Sequence, residues 1–78
     1  MKLIVLNLPR DFSKEDLAKI FKAHGEISAC DLVIDEHTGI SKGFGFVEMA
    51  LENEAANAIK ELHGSKINKN KIRVKPAN

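Results

Sequence analysis

A lone cysteine, Cys30, leaves the chain without an internal disulfide. That excludes a disulfide-stapled secreted module and fits a reducing, intracellular compartment, cytoplasmic or, in a eukaryote, nuclear. No apolar run approaches the roughly 20 residues needed to cross a bilayer, so no membrane partner is expected. The apolar stretch at the N-terminus is cut short by Asn7, Pro9, Arg10 and Asp11, which makes it too brief for a signal peptide. Tryptophan and tyrosine are absent, so any aromatic role falls to Phe12, Phe21, Phe44 and Phe46. A formal net charge of +1 gives no global cationic field. Internal repeats, low-complexity stretches and linkers are also missing.

What remains has ordinary globular proportions, with 44% hydrophobic and 29% charged residues. Seventy-eight residues suit one domain, 1–78 with its core over 2–76, near the lower limit of unaided folding. Charge is unevenly spread: Lys66, Lys69, Lys71, Arg73 and Lys75 follow one another with no acid between them. On charge alone this is either a solvated basic end or an anion-binding surface. His24, His37 and His63 show no metal-ligand spacing with one another or with Cys30 and read as surface residues, so no metal site is expected. No nucleophile stands in register with a base, and no carboxylate pair suggests catalysis.

Lys2 to Leu8 reads as a strand bounded by Pro9. Ser13 suits a helix N-cap, with Glu15 and Asp16 in the first turn, Leu17, Ile20 and Phe21 at helical spacing, and Gly25 placed to end the helix. Ala29 to Ile34 is a second strand. Asp35 to Gly39 forms a loop, and Gly43 to Met49 a third strand. Ala55, Ala58, Ile59 and Leu62 form the stripe of a second helix closed by Gly64. Ile67 is a short edge piece, and Lys71 to Lys75 the last strand, stopped by Pro76. The order is β-α-β-β-α-β: an α+β, ferredoxin-like fold, with a four-stranded antiparallel sheet and both helices on one face. Two helices cover one sheet face, so the other stays wet.

Parity sorts the strands onto those faces. In the third strand Lys42, Phe44, Phe46 and Glu48 share one side, Gly43, Gly45, Val47 and Met49 the other. Turning the phenylalanines inward buries Lys42 and Glu48 unpaired, at several kcal/mol each. The opposite assignment buries Val47 and Met49 and lets a helix approach over Gly45. Likewise Ile72 and Val74 oppose Lys71, Arg73 and Lys75, and Cys30 and Leu32 oppose Asp31 and Val33. Cys30 thus reads as buried filler. The first strand is apolar on both sides; with Leu3 and Val5 inward, Ile4 and Leu6 join the rings. The open face then carries Ile4, Leu6, Val33, Phe44 and Phe46, edged by Lys2, Lys42, Arg73 and Lys75. Aromatic rings bordered by cations suit single-stranded nucleic acid.

Lys42-Gly43-Phe44-Gly45-Phe46-Val47-Glu48-Met49 matches the octamer of RNA recognition motifs at seven of eight places. From background residue usage, a chance match of that quality has odds on the order of 10⁻⁵. Leu3-Ile4-Val5-Leu6-Asn7-Leu8 resembles the family's hexamer, and the resemblance spans residues 2–76. It implies a non-enzymatic, monomeric module for single-stranded RNA, with single-stranded DNA left open. It implies no cofactor. By position, Phe44 and Phe46 match the two octamer aromatics, one under a sugar and one under a base. Lys42 matches the leading cation, and Arg73 and Lys75 lie where the last strand often meets RNA. Asn7 matches a hexamer asparagine that more often shapes a turn.

Three departures bear on binding. Ile4 stands where the hexamer has a ring, removing one of three stacking platforms. Met49 replaces the closing aromatic, but on the inward side. Asp31 and Glu48 place acids on the open face, where they repel phosphate yet offer hydrogen-bond acceptors to an exocyclic amine such as that of cytosine. The alternative function is a protein-docking domain of the same fold, using apolar Ile4, Leu6 and Val33; it has no particular need for the surrounding cations.

Overall fold

The computed structural model describes residues 1–39 and 41–77; position 40, just past the expected Asp35–Gly39 loop, and position 78, the end of the expected domain, lie outside them. Strand β1 is Lys2–Leu6, helix α1 Lys14–Lys22, β2 Ile27–Ile34, β3 Ser41–Met49, α2 Glu52–Leu62, β4 Lys66–Ile67, β5 Asn70–Lys71 and β6 Arg73–Pro76. Four strands form one antiparallel sheet in the order β2-β3-β1-β6, and β4 and β5 make a separate hairpin. The fold is the ferredoxin-like β-α-β-β-α-β arrangement.

Local chemistry sets the helix ends. Ser13 holds an extended backbone, its hydroxyl accepts from the Asp16 N–H at 3.1 Å, and Asp16 accepts from the Ser13 N–H at 3.1 Å. This capping box satisfies two donors that the first turn leaves unpaired. Gly25 does not end α1 as expected. The helix stops at Lys22 with Ala23 still right-handed, and Gly25 lacks positive φ. A Cβ there would meet the Glu54 side chain at 2.7 Å, so the glycine serves the passage of α2. Gly64, with φ 83°, does close α2 in the left-handed region.

The expected terminal strand is split. Lys71 pairs with Lys66 in the hairpin, while the Ile72 N–H donates to Ser65 O at 2.9 Å and Ile72 O accepts from the Gly64 N–H at 2.8 Å. Only Arg73–Pro76 joins the sheet, beside β1. Pro76 lies within this strand opposite Leu3, which is tolerable because β6 is an edge. Strand β1 ends two residues early, at Leu6, since Asn7 turns to φ 61°.

The core lies between the sheet and the helices. Leu3, Val5, Val47, Met49, Ile72 and Val74 from the sheet side meet Leu17 and Phe21 of α1 and Ala55 and Ala58 of α2, all but fully buried. Gly45 is the close approach: a Cβ would sit 2.6 Å from Asp31 O and 2.9 Å from Leu17 Cδ2. Cys30 is only half-buried, since β2 is the other edge; desolvation still pushes its thiol pKa up. Phe12 is likewise half-buried against the core.

Candidate functional site

Strand register arranges the open face in cross-strand rows. Phe46 stands opposite Asp31 on one side and Ile4 on the other, and Ile4 in turn opposite Lys75. In the next row Phe44 faces Leu6, and Leu6 faces Arg73. A third row joins Ala29, Glu48 and Lys2. Neighbouring strands are about 4.8 Å apart, so each row is a contiguous strip of side chains. Ile4, Leu6, Phe44 and Phe46 are half-buried, whereas Lys2, Asp31, Lys42, Glu48, Arg73 and Lys75 are exposed. Of the β3 residues next to the two rings that point the other way, Gly45 and Val47 are buried and Gly43, at the start of the stretch, is half-buried.

The rings lie with centroids 6.2 Å apart and planes at 84°, edge to face. That arrangement matches positive ring edge to negative ring face. Lys2 Nζ is 5.1 Å from the Phe46 centroid, a cation–π contact of about 0.5–1 kcal/mol at an exposed position. Asp31 Oδ1 lies 3.9 Å from Lys14 Nζ, which reaches round the β2 edge from α1. Both groups are exposed, so the pair adds little stability, but it tempers the acid beside Phe46.

Val33 sits apart from the rows. The β2–β3 ladder runs from Leu32 opposite Gly45 to Ile34 opposite Ser41, an irregularity that leaves Val33 without a register partner. Gly43, at φ 88°, lies in that stretch. Lys42 beyond it lines two depressions, one beside Phe44 and Leu6 and one beside Val33 and Asp35. Arg10 and Asn70 share the first of these and were not among the residues expected at the site. Arg10 carried only the signal of a cation one place after the strand-ending proline.

Among the described residues no cluster of three or more His, Cys, Asp or Glu is arranged to hold a metal, and no helix is long and apolar enough to cross a membrane. The open face offers stacking surface, cations and two carboxylates.

Comparison with known proteins points the same way. Residues 3–73 match the family model described as RNA recognition motif. The chain is 40% identical over 73 residues to glycine-rich RNA-binding protein 4, mitochondrial, of Arabidopsis thaliana, covering 94% of the chain and 54% of that protein. It is 38% identical over 76 residues to a chloroplastic 28 kDa ribonucleoprotein of Spinacia oleracea, covering 97% and 33%. It thus spans about half or less of these curated relatives. A solved Sxl-lethal protein/RNA complex superposes with a TM-score of 0.94 at 35% identity, over 99% of this chain and 46% of that one.

Proposed function

Because the chain belongs to the RNA recognition motif family, a family of non-enzymatic RNA-binding domains, we propose that its open face holds about two to four nucleotides of single-stranded RNA. The observation that carries this reading is the Phe44–Phe46 pair, turned away from the helices in the middle of the sheet. Stacking on an aromatic ring is worth roughly 1–3 kcal/mol per base. Planes at 84° cannot both lie flat under one base. Phe46 therefore takes a base, and Phe44 takes the neighbouring base or its sugar. The base on Phe46 displaces the Lys2 ammonium, which turns to the backbone. Lys42, Arg73 and Lys75 meet phosphates, while Ile4 and Leu6 give apolar support and Val33 borders the Lys42 side.

Asp31 and Glu48 keep phosphates toward the other side of the face. Asp31, directly across from Phe46, is the acceptor nearest an exocyclic amine on that base.

Titration with a random-sequence single-stranded RNA 4-mer pool, followed by amide shifts, tests the reading. Shifts are expected on β1, β3 and β6. Phe44→Ala/Phe46→Ala is expected to abolish them with little loss of stability. Undiminished RNA binding by that variant refutes stacking; an unmoved sheet in the wild type favours the protein-docking alternative. A matching DNA pool measures discrimination by sugar.

A further inference from the structure

Beyond Phe44 the sheet gives way to a corner built from two loops. Asn7 leaves β1 at φ 61°, a backbone that asparagine adopts more readily than most side chains. Its Nδ2 donates to Lys71 O at 2.8 Å, and Asn70 Nδ2 donates in return to Asn7 O at 3.2 Å. These reciprocal bonds fasten the segment after β1 to the β4–β5 hairpin. Between the fastened segments lies the depression lined by Leu6, Phe44, Lys42, Arg10 and Asn70, with no acidic residue on its wall. Arg10 also lines a second depression farther out, with Lys69 and Asn68, where Asp11 is the one acid. Among the described residues neither Arg10 nor Lys69 has an ion-pair partner. Both are exposed.

A strip of positive charge therefore starts at the stacking rings and leaves the sheet through Arg10 toward Lys69. At the opposite end of the face Glu48 stands across from Lys2, and Asp31 lies in the row of Phe46. A polyanion leaving the rings in this direction, toward Arg10, meets cations and no acid on the wall of the first depression.

We propose that this corner is a phosphate track that lengthens the bound RNA by about two nucleotides past Phe44. Arg10 makes the first added phosphate contact and Lys69 the second. The inference rests on the open face being an RNA site. An arginine fork suits phosphate oxygens, and Arg10, lining both depressions, is placed to serve the first phosphate off the sheet. Loops already fastened to each other lose little freedom when RNA arrives, so more of the contact energy appears as affinity.

The test compares random-sequence single-stranded RNA pools of 4 and 8 nucleotides on the wild type and on Arg10→Ala/Lys69→Ala. Single-stranded contacts each add about −0.7 to the slope of log affinity against log salt. Two added contacts make the 8-mer slope steeper by about 1.4, an effect of about 25-fold at 0.1 M salt relative to 1 M. The variant is expected to bind the 8-mer about 25-fold more weakly at 0.1 M salt, to lose the extra slope, and to bind the 4-mer as the wild type does. An unchanged 8-mer affinity, or an equal loss on both pools, overturns the track while leaving the open face intact as a site. Failure of the wild type to bind either pool overturns both readings. An unaltered denaturation midpoint in the variant excludes a folding effect, since both side chains are in water.

Discussion

Ser13 and Asp16 each satisfy the other's backbone N–H at the start of α1. Ser13→Ala removes the cap oxygen and is expected to lower stability by about 1 kcal/mol, read from urea denaturation. The Asp16 carboxyl is held below the usual carboxylate range, first by the Ser13 backbone N–H and then by the Ser13 side chain. Folding therefore favours the ionised acid. Its contribution is complete above the unfolded value, near pH 4, and is lost as pH falls through the lower folded value. Wild-type stability should fall more between pH 6 and pH 3 than that of Asp16→Asn. Ile4 is the other residue with a sharp expectation. It lies between Phe46 and Lys75 in the central row, where the hexamer of related domains has a ring. Ile4→Phe supplies the missing platform and should tighten RNA binding; an affinity unchanged or weaker would show that β1 offers no stacking position.

Strand β3 does two jobs by alternation, since one set of its side chains makes core and the other makes site. Met49 is fully buried against the helices. Met49→Ala should cost about 2–5 kcal/mol, whereas Phe46→Ala, three residues away on the other side, removes chiefly surface contacts. Gly45 is the third requirement of this strand. The Cβ of Gly45→Ala meets the Asp31 carbonyl of the neighbouring strand at 2.6 Å, and sheet backbone cannot yield without breaking the ladder. About 1–3 kcal/mol of destabilisation is expected by thermal or urea denaturation. Gly25→Ala meets a Glu54 side chain instead. Its Cδ and Oε1 can turn aside at the expense of the 3.1 Å bond from the Glu26 N–H, while its Cβ, also 2.7 Å away, yields only with a shift of the first turn of α2. A helix end shifts more readily than a paired strand, so the smaller loss is expected there. The reverse order would mean that the loop after α1, and not the sheet, is the tighter contact.

At the scale of the whole molecule, placement of charge matters more than its sum. A net charge of +1 gives almost no attraction at long range, yet Lys2, Lys42, Arg73 and Lys75 all border the one uncovered sheet face. Contacts to about three phosphates by Lys42, Arg73 and Lys75 predict a slope near −2 for a 4-mer pool. A flat salt dependence would mean that these cations do not neutralise the RNA backbone. The uncovered face also limits stability. Both helices bury the same side of the sheet, so a chain of this size forgoes half of its possible sheet burial to keep two rings in water.

The residues of β3 by themselves determined which way its rings point. Lys42 and Glu48 share their parity, and neither tolerates burial without a partner, so the phenylalanines had to follow them into solvent. The Ser13 cap of α1, the closing Gly64 of α2, the element order and the inward Val47 and Met49 were legible for the same reason: each follows from local spacing and solvation. Tertiary structure alone decided where distant segments meet. Ile72 breaks the final strand because Gly64 and Ser65 take its backbone hydrogen bonds. Gly25 is small because Glu54 passes it, and Arg10 reaches the edge of the site because Asn7 and Asn70 tie two loops together. Such pairings join residues outside any one element, from the Gly64–Ile72 turn to Asn7 and Asn70 at opposite ends of the chain, and their energies depend on geometry that no local pattern encodes.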